Sequence, residues 1–320
     1  MKFLTEIPFQ QQPDHQIDYN SNIVLLGSCF VENIGEKLNY FKFQNLQNPF
    51  GVLFQPKAIE RLVSHALEGK QYEENDVFLY NDIWQCYDAH SKLSAVSKTE
   101  VLSRLNSGIT KTQTGLKNAS HIIITLGTAW AYKHLKEQVY VANCHKVPQK
   151  QFSKSLLSVE EIADALKAVL NKIKAVNPEA SFIFTVSPIR HVKDGMVENT
   201  RSKSHLLTAI HRVLEERKTE NCFYFPSFEI MMDELRDYRF YEADLIHPNQ
   251  IAIDYIWEKF GSTWLASSTK SIMKTVDGIQ RGLQHRPFNE TSEKHKDFLV
   301  KLNKKIAAVK SQFPFMMFNS

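Results

Sequence analysis

The stretch Ile23-Val24-Leu25-Leu26-Gly27-Ser28-Cys29-Phe30 decides the fold. Its first four residues form a short, continuous, partly β-branched apolar run, as in a strand buried on both faces. Gly27-Ser28 stops the run. Val31, Ile34, Leu38 and Phe41 then recur at three- and four-residue spacing, which predicts an amphipathic helix after a tight turn. The same grammar returns at Ile122-Ile123-Ile124-Thr125-Leu126, closed by Gly127, and at Phe182-Ile183-Phe184-Thr185-Val186, closed by Ser187-Pro188. A shorter strand is expected at Cys222-Phe223-Tyr224-Phe225 before Pro226. Helical patterns fill the intervals, from Ser158 to about Val176, with Ser158 and Glu161 as a capping box, and from about Asn199 to Arg217. Strands alternating with helices of this length need crossover connections, hence a parallel sheet covered on both faces. In such sheets function collects at the carboxyl ends of the strands, here Gly27-Ser28, Gly127-Thr128 and Ser187-Pro188.

Residues 72–95 break this grammar. Tyr72, Phe78, Tyr80, Trp84 and Tyr87 alternate with polar residues and predict a β-hairpin insertion, with Val139-Tyr140-Val141 as a strand that pairs with it. Residues 1–267 are expected to form the main α/β domain. From Ser268 to Ser320 the pattern is helical, basic around Lys301 to Lys310, and Phe298, Leu299, Leu302, Ile306 and Val309 make a stripe that would pack this extension on the main domain. A chain of 320 residues with 43% hydrophobic residues can bury a large single core, roughly three quarters of the surface its unfolded form exposes. Its 39 Lys and Arg nearly balance 35 Asp and Glu, so neither a nucleic-acid groove nor a polybasic membrane anchor is the default expectation. Cys29, Cys86, Cys144 and Cys222 are far apart and form no C-x-x-C pair, which points to reduced thiols. Glu6 and Pro8 interrupt the amino-terminal apolar stretch, and no run is long enough to cross a membrane; the expected location is the cytoplasm.

Two short motifs carry chemistry. Ser28 lies on a strand-to-helix turn, where a hydroxyl is presented beside the backbone N–H groups of a helix start. The competing reading is a helix N-cap serine. Asp244-Leu245-Ile246-His247-Pro248-Asn249 places a carboxylate three residues ahead of a histidine, within reach of its Nδ1–H, so that Nε2 can accept a proton. The competing reading is a capping Asp beside a surface His. On a doubly wound sheet the two motifs would meet at one edge. Cys29 is a rival nucleophile, because a thiol at a helix N-terminus has a lowered pKa. No G-x-G-x-x-G or P-loop lysine follows the first strand, which leaves no expected cofactor. No H-E-x-x-H or paired C-x-x-C occurs, and Cys144 and His145 would point to opposite faces of a strand; no metal site is expected.

Taken together, the motifs resemble the SGNH (GDSL-like) hydrolase superfamily. More closely, Gly27-Ser28-Cys29-Phe30 resembles the signature of the GSCFA family within it, with Val31 where the name has Ala, over roughly residues 20–265. The resemblance implies a three-layer α/β/α, flavodoxin-like sheet and acyl transfer through an acyl-serine intermediate. Ser28 would be the nucleophile, His247 the general base and Asp244 its orienting partner. The backbone N–H groups of Ser28 and of Gly51, in Asn48-Pro49-Phe50-Gly51, would face the oxyanion; a plain turn glycine is the alternative for Gly51. Where the superfamily has Gly-x-Asn, this chain has Gly127-Thr128-Ala129, so either Thr128 replaces the missing oxyanion donor, or another group does, or the enzyme is slow on simple esters. His90, Ser91, Asn143, His145, Arg190 and His191 lie in stretches that resemble recurrent GSCFA-family segments and are the candidate substrate contacts. Arg190 and His191 also follow a core strand, where an anionic or hydroxyl-rich substrate could be held. The implied substrate is a small-molecule or carbohydrate ester. Hydrolysis and acyl transfer to a second alcohol both remain open, as does a binding protein without catalysis on the same fold.

Overall fold

The computed structural model describes residues 5–218 and 220–318. Met1–Leu4, which open the amino-terminal stretch read above, Thr219, and Asn319–Ser320 at the end of the expected extension lie outside the described residues. In chain order the elements are β1 (Ile23–Gly27), α1 (Phe30–Tyr40), β2 (Asn45–Gln47), α2 (Pro56–Glu68), β3 (Phe78–Tyr80), β4 (Ile83–Gln85), α3 (Lys98–Asn118), β5 (His121–Leu126), β6 (Trp130–His134), β7 (Tyr140–Val141), β8 (Phe152–Leu156), α4 (Val159–Lys174), β9 (Ser181–Val186), α5 (Met196–Glu216), β10 (Cys222–Tyr224), the single turn α6 (Ser227–Glu229), α7 (Gln250–Trp264), α8 (Thr269–Gln284) and α9 (Glu293–Gln312). The main sheet is parallel in the order β10-β9-β5-β1-β2, so β1 and β5 are neighbours at the point where the winding reverses.

The two faces of this sheet bury different cores because successive side chains point opposite ways. Val24, Leu26, Ile122, Ile124, Phe182 and Phe184 face α2, α3, α4 and α5. Ile23, Leu25, Ile123 and Ile183 face α1, α7, α8 and α9. The result is the expected three-layer α/β/α arrangement. Ser158 and Glu161 close a reciprocal capping box at the start of α4. Val276 and Ile279 of α8 and Leu302 and Val309 of α9 join the same core as α1 and α7. Leu299 does not join that stripe as expected. It is 41% exposed, because the line of α9 that faces the core runs through Phe298, Leu302, Ile306 and Val309.

Residues 72–95 do contain a hairpin, β3 paired antiparallel with β4 across Asn81-Asp82, both of which have positive φ. The expectation that 139–141 pair with it is incorrect. β7 pairs with β6, and β6 with β8, to make a separate three-stranded antiparallel sheet. The hairpin region touches that sheet through side chains, with Phe78 and Tyr87 stacked at 4.2 Å and joined in one small cluster by Val141 and Phe152. One backbone hydrogen bond, from Ala142 N–H to Tyr87 O, ties them together.

Two close approaches hold the carboxyl ends of the strands. Gly27 has φ +134°, and a Cβ there would lie 2.1 Å from Thr125 O. Only glycine lets β1 end this close to β5. Beneath the strand ends, the fully buried Lys203 of α5 donates from Nζ to Gly127 O at 2.8 Å and Ser187 O at 2.7 Å. The ammonium therefore clamps the first residue after β5 to the first after β9. Burial, opposed by the nearby Cys29, pushes its pKa down to about 7.

Gly27→Ala is expected to cost more than the about 1–3 kcal/mol of a strained backbone, because strain and clash add; denaturant unfolding measures it. Lys203 makes a signed prediction. From about pH 7 up to the unfolded lysine value near 10.4, the unfolded chain binds a proton that the folded chain has given up. Its contribution to stability therefore rises with pH across that window. Unfolding midpoints at pH 7, 8 and 9 should rise more steeply for the native protein than for Lys203→Met, and parallel curves would contradict the assignment.

Candidate active site

Ser28 is completely buried where β1 turns into α1. The sequence folds this way locally because Gly27 absorbs the positive φ and Asn48 takes the free backbone donor, with Asn48 Oδ1 accepting from Gly27 N–H at 2.9 Å. Leu53 N–H then donates to Gly27 O, and Ser28 O accepts from Val31 N–H in the first turn of the helix. Ser28 Oγ has no hydrogen-bond partner among the described residues. It is therefore no N-cap; the cap position belongs to Cys29, whose side chain makes no cap bond either.

The two expected backbone oxyanion donors are both engaged. Ser28 N–H donates to Thr125 O at 3.0 Å, and Gly51 N–H donates to Asn48 O at 2.7 Å. Gly51 is the turn glycine of the alternative reading. Its φ is +71°, and a Cβ there would come within 2.5 Å of His90 Cβ. Thr128 lines the cavity described below, but its Oγ1 is held by Ser202 Oγ at 3.0 Å and Trp130 N–H at 3.1 Å. Its N–H, like that of Gly127, donates to Phe54 O.

The groups with unspent hydrogen-bonding capacity are others, and sequence reasoning missed two of them. Asn48 Nδ2 is buried without a partner, on the carboxamide whose oxygen already touches Gly27. Gln55, the residue before α2, has both carboxamide atoms buried and unpaired, and it lines the cavity. His191 Nε2 is likewise unpaired. Both His191 Nε2 and Ser28 Cβ lie 3.1 Å from the point where a Cβ on Gly127 would sit, so the imidazole edge and the serine flank the same glycine. His191 packs edge-on against Phe54 at 5.5 Å, and burial, reinforced by the charges of Lys203 and His247, pushes its pKa down to about 3. At neutral pH the imidazole is uncharged.

Asp244 and His247 pair as expected. His247 Nδ1 meets Asp244 Oδ2 at 2.6 Å, while Asp244 Oδ1 accepts from the N–H groups of Ile246 and His247 at 2.9 and 3.0 Å. Those hydrogen bonds, the backbone ones foremost, hold the carboxyl down at about 2. The ionised carboxylate fixes the imidazole proton on Nδ1 and leaves Nε2 as the acceptor. Both side chains are about half exposed, and no hydrogen bond joins His247 to Ser28 among the described residues.

The remaining candidates divide. Arg190 and His191 enter the cavity, as does Asn143, whose Oδ1 also caps its own turn through His145 N–H. His90 reaches the Asn48–Gly51 loop, and its Nδ1 accepts from Lys92 N–H. Ser91 is exposed outside the cavity lining. His145 turns away into the small cluster, with Nε2 against Cys86 O at 2.7 Å. Cys29 does not carry the lowered pKa expected of a helix-start thiol, because burial pushes it up. Among the described residues no group of three or more His, Cys, Asp or Glu is placed to hold a metal ion, and no helix is long and apolar enough to cross a membrane. The cavity at the ends of β5 and β9 has a volume of about 680 Å³ and is walled by Phe54, Trp130, Tyr132 and Ile246.

No curated protein matches the chain. The solved structure of a carbohydrate esterase family 3 from Talaromyces cellulolyticus matches at 11% identity and a TM-score of 0.37, over 81% of this chain and 99% of that one. The GSCFA domain protein, C-terminal domain, matches residues 276–320. The GSCFA family matches residues 22–260, from just before β1 into the last third of α7, and the chain belongs to that family.

Proposed function

We propose that this chain is a serine esterase of the SGNH type that works through an acyl-serine intermediate on an O-acylated carbohydrate. One observation carries the reading: Ser28 Oγ, Asn48 Nδ2, Gln55 and His191 Nε2 are buried polar groups without partners, gathered around one strand end. Each unmade hydrogen bond costs about 1–3 kcal/mol, a cost that a bound ester could offset by supplying the partners. Ser28 Oγ attacks the ester carbonyl, and His247 Nε2 takes its proton while Asp244 steadies the imidazolium. The C–O bond to the leaving alcohol breaks as His247 returns the proton to that alcohol. Water then attacks the acyl-serine by the same route and regenerates Ser28. The developing oxyanion faces Asn48 Nδ2, which takes the place of the asparagine absent after Gly127, with Gln55 Nε2 on the cavity side.

A second reading of the proton transfer rests on His191. Its Nε2 flanks Gly127 beside Ser28, although neither His191 nor His247 has a hydrogen bond to the serine among the described residues, and the burial that keeps this imidazole neutral also makes it the weaker base. In that case His191 takes the Ser28 proton, and the Asp244–His247 pair stands behind it.

Intact-mass measurement after exposure to a fluorophosphonate, paired with hydrolysis of 4-nitrophenyl acetate, tests both readings. A single adduct is expected, lost in Ser28→Ala. Removing the true base should slow turnover by about 10²–10⁴-fold, so His247→Ala and His191→Ala separate the two readings by which of them does so. No adduct and no turnover from folded native protein would sink the esterase. Asn48→Asp tests the oxyanion donor independently. It keeps the acceptor that holds Gly27 N–H, but replaces the Nδ2 donor with a carboxyl oxygen at a buried position, so kcat should fall by at least about 10²–10³ and the unfolding midpoint should drop as well.

A further inference from the structure

Resting on the esterase reading, we propose that the substrate carries a negatively charged group, a carboxylate or phosphate on its sugar, seated in the cavity beyond Ser28. Four cations line this cavity, Lys146, Lys154, Arg190 and Lys193, against a single acid, Asp194. Lys154 already binds that acid in an ion pair. Lys146, Arg190 and Lys193 have no carboxylate within ion-pair distance among the described residues. Lys154 and Lys193 both bear electrostatically on Cys144, a thiol in the cavity wall, while Lys146 and Lys193 are exposed where they line the cavity.

Arg190 is the most telling of the four. Its guanidinium is stacked 4.1 Å over the Tyr241 ring and 5.3 Å over Tyr238. Aromatic stacking pre-orients a planar fork that can take an anion bidentately. A guanidinium whose role was to support the fold would ordinarily be paired; this one is positioned by neutral rings and left without a counter-ion. The cavity lining also includes Trp130 and Tyr132, whose rings Lys154 Nζ overlies at 5.1 and 5.3 Å from their centroids, setting a cation beside aromatic surface that a sugar ring can stack on. A neutral acyl sugar would use the aromatic wall and leave three unpaired cations facing it. An anionic sugar uses both.

The test separates this inference from the esterase reading by measuring binding without turnover. Full-length Ser28→Ala is titrated calorimetrically with mono-O-acetylated glucose, glucuronic acid and glucose 6-phosphate at low and high salt. At least one anionic probe should bind about tenfold tighter than the neutral one, with the advantage shrinking at high salt. Preference for one of the two anions tells carboxylate from phosphate. Lys193→Glu, at an exposed position where folding should survive, should cut the anionic preference by about tenfold, and Arg190→Gln should do the same. Equal binding of all three probes, no binding of any, or a preference that survives both substitutions overturns the proposal. Anionic preference in a chain that forms no fluorophosphonate adduct would overturn the esterase reading alone.

Discussion

The contact between Gly27 and the Thr125 carbonyl sets the position of everything at the strand ends. Because no side chain stands there, β1 finishes against β5, and Thr125 O accepts the Ser28 N–H. The other backbone groups of the turn are then consumed in order, Gly27 N–H by Asn48 Oδ1 and Gly27 O by Leu53 N–H. With the N–H and C=O of both Gly27 and Ser28 paired, the turn is stiff, which keeps the Ser28 side chain in one place. The same pairing removes the serine amide from any role toward a substrate. Negative charge that develops beside Ser28 is left to the N–H groups of Cys29 and Phe30 at the start of α1, which have no backbone acceptor among the described residues, and to the side-chain amides of Asn48 and Gln55, likewise unpaired there.

Buried polar groups without partners are rare in folded chains, so their distribution carries information. Here four of the residues that hold them surround the ends of β1 and β5, where the winding of the sheet reverses. Lys203 adds a buried cation just beneath, tied to Gly127 O and Ser187 O, and its charge is one of the reasons His191 stays neutral. The ammonium thus does two things: it fixes the spacing of two strand ends, and it biases the protonation of the imidazole above them. The two effects part as the pH rises: the bonds to both carbonyls need only the amine's N–H groups, whereas the bias on His191 needs the charge and fades as Lys203 gives up its proton above about pH 7.

The sheet was legible in the sequence because its strands are buried on both faces and so read as unbroken apolar runs; Ile122–Leu126 and Phe182–Val186 are nearly complete as read. The small sheet was not, because Phe152-Ser153-Lys154-Ser155-Leu156 has one wet face and pairs with residues far along the chain. Without β6 and β8 in view, residues 139–141 had no visible partner but the hairpin. The Asp244–His247 pair was legible from spacing alone, since both partners lie in one short loop. The engagement of the Ser28 and Gly51 amides was not, because it depends on the acceptors Thr125 O and Asn48 O, which sequence does not orient. Lys203 did leave a signal: it falls on the line Asn199, Ser202, Leu206, Ala209, Ile210, Val213 that α5 buries. A lysine on a buried stripe needs internal acceptors, and carbonyls at strand ends supply them.

The separation of Ser28 from His247 follows from how each is held. Ser28 is locked by the turn just described. His247 is locked to its own loop, since Asp244 takes three hydrogen bonds from within that loop, Glu242 N–H donates to His247 O, and Leu245 sits at positive φ to close the ring of contacts. The imidazole therefore cannot swing toward the serine without giving up Asp244; the loop has to seat as a unit. Its backbone link to the strand ends runs through Arg190 N–H and Ile246 O at 3.3 Å, from a residue that lines the cavity and stacks its guanidinium over Tyr241. Arg190 is thus shared between the cavity and the histidine loop. In the esterase reading, that sharing makes occupancy of the cavity and the approach of His247 to Ser28 two consequences of the same seating, with the neutral His191 lying between them.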